Sequence, residues 1–324
     1  MQVEYALIAA EERGRGLTVC AECDGVVVFA FPCGDDDDAD DLNASVDSPS
    51  PPSPVESAAN TDHDPTHNAK IHRLSPTHLL LTSGLAGDSR TLASAFRRVA
   101  SSWTHVHYGE VVTARELAKE MGKVMHSIGL RPGARVLGVI GMLIGLDDAD
   151  DYGMAATDHL GVEVRMYRSL PGGTLDRCNI CCTGGGADAA GNAARKYATE
   201  TLARVLSPTK YDVHKESLTG EEIISMKEQK LQQVIEEVGR IALRYHHESQ
   251  TEEGELTEAA LDDNTIKRFD VDIWLVRAAA AESAKHDDTA INSHRYLGKA
   301  SMETRYARRV ALDQLPDVAK CLMN

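Results

Sequence analysis

Two pairs of cysteines have the spacing of thiolate metal ligands. Cys20 and Cys23 form one Cys-x-x-Cys pair, and Cys178 and Cys181 form the other; four thiolates brought together can hold a zinc ion. Because residues three apart on a strand point to opposite faces, neither pair can chelate a metal unless it lies on a turn. The two pairs are also much farther apart in the chain than those of a compact zinc site. The sequence therefore favours buried free thiols, and no metal, over a zinc site.

Other motifs for cofactors and catalysis are incomplete. Gly184-Gly185-Gly186 precedes a predicted helix, whose N-terminus is able to bind phosphate, but the chain has neither Gly-x-Gly-x-x-Gly nor Gly-Lys-Ser/Thr. Gly-x-Ser-x-Gly and His-Glu-x-x-His are also absent. The three glycines are more typical of a turn that needs small residues, and we expect no cofactor.

The negative charge is concentrated in one segment. The net charge is −16, and residues 34–67 hold ten acidic residues and no Lys or Arg. This balance disfavours nucleic acid and anionic membranes as partners. The segment also contains the Ser/Pro-rich run 48–54. Repelling charges and proline leave little apolar surface to offset ordering entropy, so we predict a disordered acidic insert.

The remaining composition predicts a protein of the cytosol and nucleus. The chain has 324 residues and seven cysteines, an odd number that is typical of reduced thiols. The first residues do not form a secretory signal, and the longest apolar stretch, Val136 to Leu146, is too short to span a bilayer.

These residues are positioned by a predicted succession of strands grouped between pairs of helices. Asp24-Gly25 is a hairpin turn signal, and Thr113-x-x-Glu116 and Thr219-x-x-Glu222 are capping boxes. Strands grouped in this way are typical of antiparallel sheets with helices outside, so we predict an α+β layered sandwich. The predicted strands are Leu17–Glu22, Val26–Phe31, Lys70–Ser75, His78–Thr82, Leu137–Leu146, Val162–Leu170, Thr174–Cys182 and Phe269–Val276, and the predicted helices are Gln2–Glu12, one through Leu92–Val106, and those after Thr113, Gly186 and Thr219.

The same pattern predicts one domain with two additions. The domain covers residues 1–278 and contains the insert at 34–67, because patterned strands resume at Lys70. Residues 279–324 form a weakly patterned C-terminal extension of helical character.

A series of short motifs resembles the α-type subunits of the proteasome core particle. Gln2-Val3-Glu4-Tyr5-Ala6 resembles the signature of their first helix, and the other motifs follow in the family's order. These are Asp24-Gly25-Val26-Val27-Val28, Lys70-Ile71, Thr82-Ser83-Gly84-Leu85, Asp88-Ser89-Arg90, Tyr108-Gly109, Arg131-Pro132, Leu143-Ile144-Gly145-Leu146-Asp147, Pro171-Gly172-Gly173 and Gly184-Gly185-Gly186. The resemblance implies a four-layer αββα sandwich, which is Ntn-hydrolase-like, and a first helix that lies over the cleft left open in catalytic β-type subunits.

Three features depart from the family. The stretch Gly133–Val136 after Arg131-Pro132 is longer than usual, and the family's Tyr-Thr-Gln before it is absent. The chain also begins at the first helix, without the tail that closes the entrance pore in this family. We expect either that this chain contributes no gate segment or that the sequence is truncated at its start.

The resemblance implies that the chain does not cut peptides. Catalytic β-type relatives use an N-terminal threonine whose chemistry is tuned by a lysine and an aspartate. In this sequence Arg15 stands at the threonine position and Phe31 at the aspartate position, and only Lys70 has a counterpart. Thr18 is the nearest hydroxyl, but it lies within a predicted strand and becomes an N-terminus only if the first helix is removed.

Lys70, Gly84 and Leu85 match a pocket between neighbouring α-type subunits. In the resembled family the lysine pairs with the C-terminal carboxylate of an activator, and charge-assisted hydrogen bonds suit this purpose. The arginine that usually follows Tyr-Ala in the family is replaced by Leu7. The alternative is that Lys70 is a solvated lysine on a sheet edge.

The sequence thus predicts a non-catalytic subunit of the outer ring of the proteasome core particle, with other α-type and β-type subunits and activator particles as partners. Its expected contributions are to ring assembly, passage of substrates, activator docking and ubiquitin-dependent protein degradation. Two alternatives stay open: a fold-related thiol hydrolase that uses Cys20 or Cys33, and an assembly factor outside the particle.

Overall fold

The computed structural model describes residues 2–12, 16–32, 70–108, 111–148, 162–207, 220–251, 271–280, 300–307, 310 and 312–324. The helices of this part are α1 (Gln2–Glu12), α2 (Ala86–Val106), α3 (Ala114–Leu130), α4 (Ala189–Leu206), α5 (Gly220–Thr251), a short 3-10 helix (Leu312–Gln314) and α6 (Leu315–Met323). The strands are β1 (Leu17–Cys23), β2 (Val26–Pro32), β3 (Ile71–Ser75), β4 (His78–Gly84), β5 (Val139–Asp148), β6 (Val162–Ser169), β7 (Leu175–Arg177), β8 (Ile180–Gly184), β9 (Val271–Ala280) and β10 (Ala300–Ala307).

The strands form two antiparallel sheets of five strands each. The first sheet has the order β10-β9-β2-β1-β8, and the second has the order β3-β4-β5-β6-β7. All neighbours in the second sheet are consecutive described strands, although α2 and α3 connect β4 to β5. The first sheet combines the first two strands of the chain with its last strands.

Three hydrophobic clusters separate four layers. The middle cluster lies between the two sheets and includes Phe29 and Ile144. A second cluster, which includes Phe96, packs α2 and α3 on the second sheet. The third cluster includes Leu202 and Val238 and packs α4, α5 and α6 on the first sheet. The predicted α+β, four-layer αββα sandwich is confirmed.

Several local predictions are also confirmed. Helix α1 has the predicted bounds. Thr113 caps α3 as predicted: its hydroxyl accepts from the Glu116 backbone N–H, and the Glu116 carboxylate accepts from the Thr113 backbone N–H in return. Asp24 and Gly25 join β1 to β2 with φ angles of 49° and 79°. Both angles are positive, as the favoured two-residue hairpin turn requires. Thr219 lies outside the described residues.

The single strand predicted at Thr174–Cys182 is wrong. The segment divides into β7, which pairs with β6 in the second sheet, and β8, which pairs with β1 in the first sheet. The Cys178 N–H still donates to Met166 of the second sheet, whereas the Asn179 carbonyl already accepts from Glu22 of the first sheet. The chain therefore passes between sheets at these two residues, a change that an apolar pattern does not encode.

The last residues of the chain pack on the domain. Strand β10 pairs with β9 along its length, and Leu315, Ala319 and Leu322 of α6 are buried in the cluster that contains α5. Both elements lie in the segment 279–324 that the sequence sets apart as an extension, and a strand occurs there besides the helix. The acidic insert 34–67 lies outside the described residues.

Candidate functional site

Helix α1 lies across one end of the sandwich and contacts strands of both sheets. It packs against β4 and β5 of the second sheet and β8 of the first. Ala6 and Ala10 are its buried residues, and the Val3 side chain lies against the turn at Gly172. Small residues on the buried face allow the helix to approach the strand ends closely. The helix is thus placed over the end of the space between the sheets.

Polar contacts fix the last turn of α1 to both sheets. The Ser83 hydroxyl at the end of β4 donates to the Ala10 carbonyl at 3.3 Å. The Gly186 N–H, just after β8, donates to the Glu11 carbonyl at 3.2 Å. Arg195 of α4 donates to the Glu11 carboxylate at 3.1 Å, and this arginine is largely buried. The end of the helix is therefore bonded to β4, to the loop after β8 and to α4.

The three consecutive glycines form the turn that receives these contacts. Gly184, Gly185 and Gly186 have φ angles of 81°, 82° and 93°, a region that side chains other than glycine avoid. The Arg195 guanidinium donates to the carbonyls of Gly184 at 2.6 Å and Gly186 at 2.7 Å. The turn predicted from the sequence is confirmed, and its carbonyls are engaged by protein rather than presented to a ligand.

Gly84 allows the backbone of α1 to come close to β4 and β5. Its φ angle is 131°, and a Cβ atom added there would lie 2.3 Å from the Gly138 carbonyl oxygen and 3.0 Å from the Ala10 Cα. Leu85 follows as the residue that caps the start of α2, and its N–H donates to the same Gly138 carbonyl at 3.0 Å.

The structure places Lys70 at the same end of the second sheet as Gly84 and Leu85. The Lys70 carbonyl accepts from the Thr82 N–H at 2.9 Å. Lys70 therefore lies beside β4, next to Thr82, and Thr82 is two residues before Gly84 on that strand. Lys70 is half-buried. The three residues predicted to form a pocket wall thus lie near one another, and their role as an activator site stays a prediction.

An ion pair behind this site was not predicted from the sequence. Arg135 donates to both carboxylate oxygens of Asp88, at 2.6 and 2.8 Å, and the Gly138 N–H donates to Asp88 at 2.8 Å. Asp88 is 8% exposed. Arg135 belongs to the stretch that departs from the family pattern, so neither local spacing nor resemblance paired it with Asp88.

Two residues that bear on threonine-protease chemistry are buried: Phe31 at the aspartate position, and Thr18, the hydroxyl nearest to the threonine position. Phe31 is buried in the middle cluster, where its ring stacks on Phe29. Thr18 is 4% exposed and lies inside β1, opposite Thr183 of β8. Arg15 lies outside the described residues. An apolar ring at the aspartate position has no charge with which to tune a nucleophile.

The cysteines of the first pair point to opposite faces of β1. Cys20 belongs to the middle cluster and Cys23 to the cluster beneath α5, as the strand geometry predicted. The Cys20 sulfur lies 3.7 Å from the Met142 sulfur, and burial raises the pKa of this thiol well above its usual value. A thiol of this kind has little thiolate to offer as a nucleophile. Cys33 lies outside the described residues.

No group of three or more His, Cys, Asp or Glu side chains is arranged to hold a metal ion within the described ranges. Over the same ranges, no helix has the length and apolar character of a membrane span.

Comparison with known proteins gives two matches. A protein-family model described as proteasome subunit matches residues 57–205. The proteasome subunit alpha type-4 of Drosophila melanogaster is 25% identical over 183 residues, which are 56% of this chain and 55% of that protein. The match thus spans about half the length of the relative.

The fold and the family match agree in class: residues 57–205 match the proteasome-subunit model, and the described strands form the two antiparallel sheets of a layered α+β sandwich. The relative that it matches is an α-type subunit, to which this chain is similar at low identity. The resemblance predicted from the sequence is therefore confirmed.

Proposed function

We propose that the chain is a non-catalytic structural subunit in the outer ring of the proteasome core particle. The observation that carries this proposal is the placement of α1, which contacts β4, β5 and β8 across the end of the sandwich. In the resembled family the corresponding helix covers the cleft that catalytic subunits leave open. A subunit whose cleft is covered contributes to ring assembly and to the passage of substrates rather than to cleavage.

Phe31 and Thr18 support the absence of peptidase activity. Phe31 replaces a carboxylate with a buried aromatic ring. Thr18 lies within a strand pair and its nitrogen belongs to the peptide bond with Leu17, whereas threonine proteases need the free amine of an N-terminal threonine to move the proton. The burial of Cys20 argues against the thiol hydrolase alternative.

The exposed face of α1 supports contact with other subunits. Val3, Tyr5 and Ile8 are 48%, 69% and 42% exposed, although their side chains are apolar or aromatic. We propose related α-type and β-type subunits as the partners, in a particle of the cytosol and nucleus that degrades ubiquitin-tagged proteins.

Native mass spectrometry of the tagged chain, purified gently from its own cells, tests this proposal. We expect a particle of several hundred kilodaltons, on the scale of a large oligomeric ring, with this chain at constant stoichiometry beside related subunits. A chain that copurifies only with free subunits and is absent from finished particles would instead be an assembly factor. A monomer with reactive thiols would contradict both readings.

Lys70, Gly84 and Leu85 are proposed to line a docking pocket for the C-terminal carboxylate of an activator. A lysine ammonium favours a carboxylate partner because such bonds are charge-assisted. Lys70→Ala is expected to weaken binding of activator particles and to leave incorporation into the ring unchanged. Lys119→Ala, an exposed lysine on α3, is the matched control. Unchanged activator binding by Lys70→Ala would refute the pocket and leave the ring proposal standing.

A further inference from the structure

Two cysteines meet where the chain passes from the second sheet to the first. Cys178 follows β7 and still bonds to Met166 of the second sheet, and Cys181 lies in β8 of the first. On a regular strand these side chains would point to opposite faces. The change of sheet bends the chain between them, so that Cys178 packs against the middle cluster in which Cys181 is buried. A hydrogen bond between the two thiols is the first cause of the pKa shift of each.

The two thiols differ in their access to solvent. Cys178 is partly exposed, whereas Cys181 is buried in the middle cluster with Cys20 directly opposite it on β1. A small oxidant therefore reaches Cys178 first. Cys181 is placed to react with Cys178 from inside the protein, where water is excluded.

The groups around Cys178 favour its thiolate form. The Cys181 thiol, which hydrogen-bonds to it, and the Arg168 guanidinium lower the pKa of Cys178, against burial and the carboxylates of Glu22 and Asp176. A lowered pKa supplies thiolate, which is the nucleophile in sulfur chemistry. The Cys181 pKa is raised, first by the same hydrogen bond and then by burial. The pair thus has one thiol suited to attack and one that stays protonated.

Arg168 supplies a second observation, independent of the thiols. Its Nη2 donates to Asp176 at 3.2 Å, but its Nε–H is buried and has no hydrogen-bond partner among the described residues. An unpaired buried donor is costly, and an oxidised sulfur at Cys178 would offer it an anionic oxygen as acceptor.

We propose that Cys178 and Cys181 form a reversible intramolecular disulfide when the chain meets a hydroperoxide, with Cys178 as the attacking thiol and Cys181 as the resolving thiol. The Cys178 thiolate attacks one peroxide oxygen, so that an S–O bond forms and the O–O bond breaks. Sulfur is oxidised to sulfenic acid, and the leaving oxygen takes a proton to become water or an alcohol. The Cys181 sulfur then attacks the Cys178 sulfur; the S–S bond forms, the S–O bond breaks, and water leaves with the Cys181 proton.

This modification does not depend on the proposed ring function. The bond would link the last residue that is bonded to the second sheet with a residue of the first, so it would restrain the crossing between the sheets. An added thiol such as dithiothreitol reduces it and returns both groups to their original state.

Hydrogen peroxide treatment of the folded full-length chain, followed by alkylation and peptide mass spectrometry, tests the proposal. Cleavage after Arg177 and Arg195 releases Cys178, Cys181 and Cys182 on one peptide, so single substitutions are needed to locate the bond. We expect this peptide to lose two hydrogen atoms in the wild-type chain and in the control Cys182→Ser, reversibly with dithiothreitol. We expect no such loss in Cys178→Ser or Cys181→Ser, and a sulfenic acid at Cys178 in Cys181→Ser that dimedone traps.

Two results would overturn the proposal. One is a disulfide that survives in Cys178→Ser or Cys181→Ser, because Cys182 would then be a partner. The other is a Cys178 that stays reduced while the exposed Cys321 is oxidised.

Arg168→Gln provides a second measurement that does not remove a thiol: we expect a slower reaction of Cys178 with iodoacetamide and a shift of its pH–rate profile to higher pH. An unchanged profile would also count against the proposal. Circular dichroism of each variant verifies that it is folded.

Discussion

Arg195 on α4 donates to the carboxylate of Glu11 on α1 at 3.1 Å, across 184 residues of sequence. The same guanidinium also donates to two carbonyls of the glycine turn after β8. One largely buried cation therefore fixes the end of α1, the turn and the start of α4 to one another.

Removal of this cation is expected to loosen α1. Arg195→Ala leaves the Glu11 carboxylate and two carbonyls without their donor, at a cost of about 1–3 kcal/mol in the free energy of unfolding. Hydrogen–deuterium exchange should become faster in residues 2–12 and stay unchanged in β4 and β5. Lys196→Ala is the control, since that lysine is exposed and lies 4.0 Å from Glu200; it should behave as wild type. Equal exchange of α1 in both variants would contradict the role given to Arg195.

Gly84 and Gly87 form a matched pair for testing the close approach of α1. Gly84→Ala places a Cβ atom against the Gly138 carbonyl at a positive φ angle, and we expect a loss of about 1–3 kcal/mol in unfolding free energy. Gly87→Ala adds a methyl group on α2 with nothing within 4 Å, and should stabilise the chain by about 0.5–1 kcal/mol. Urea unfolding measures both. Similar effects from the two substitutions would show that the clash at Gly84 is relieved by movement of the backbone.

We expect the buried His78 to lower the stability of the protein in mildly acidic solution. Burial lowers its pKa from 6.5 to about 3; Ser75 and Thr77 hydrogen-bond to its Nδ1, and its Nε2 has no described partner. Below the unfolded-state pKa the unfolded chain binds a proton that the folded chain does not, so stability falls as the pH decreases from about 6.5 towards 3.

Between about pH 7.5 and 5.5 the contribution of His78 to this loss is about 1.4 kcal/mol. His78→Gln should remove that part of the slope, even if it destabilises the chain at every pH. The half-buried His72, whose pKa is also lowered by burial and by Arg97 and Arg90, contributes in the same direction. His105→Gln, at an exposed position, is the control for substitution of a histidine. A slope unchanged by His78→Gln would mean that other groups cause it.

Glu22 and Arg165 form an ion pair that joins the two sheets. Arg165 of β6 donates to the Glu22 carboxylate of β1 at 2.6 Å, and the Met166 N–H donates to the other oxygen at 3.2 Å. Burial raises the Glu22 pKa, although Arg165 opposes this. Arg165→Met should leave the buried Glu22 carboxylate with only the more distant Arg177, at 4.0 Å, as a cation, and cost up to about 3–5 kcal/mol, whereas Glu22→Gln with Arg165→Met should recover much of this loss. A double-mutant cycle by urea unfolding measures the coupling, and additive losses would show that the pair is not coupled.

The sequence predicted those parts of the fold that are encoded locally. The bounds of α1, the cap at Thr113 and the turn at Asp24-Gly25 each depend on residues within a few positions of one another. The resemblance supplied the four layers and placed Lys70 beside Gly84, because motif order carries long-range information that periodicity does not.

The remaining features depend on distant partners. Asp88 pairs with Arg135 and Glu11 pairs with Arg195, and each pair joins separate parts of the chain. In the sequence alone, each of these residues is indistinguishable from an ordinary charged residue on the surface. The division of residues 174–182 between two sheets escaped prediction because only Cys178 and Asn179 separate β7 from β8, with no glycine or proline to mark the break. Strand β10 was missed because its pairing partner, β9, rather than its own weak pattern, determines its structure.

The position of α1 has a mechanical consequence. The helix rests on strand ends from both sheets, so a rigid displacement of α1 must strain contacts on the two sides of the sandwich together. A neighbouring protein that pushes on the exposed Tyr5 or Ile8 would transmit force to β4, β5 and β8 together rather than to one strand. Force applied to α1 at one end of the sandwich is therefore shared by both of its sheets.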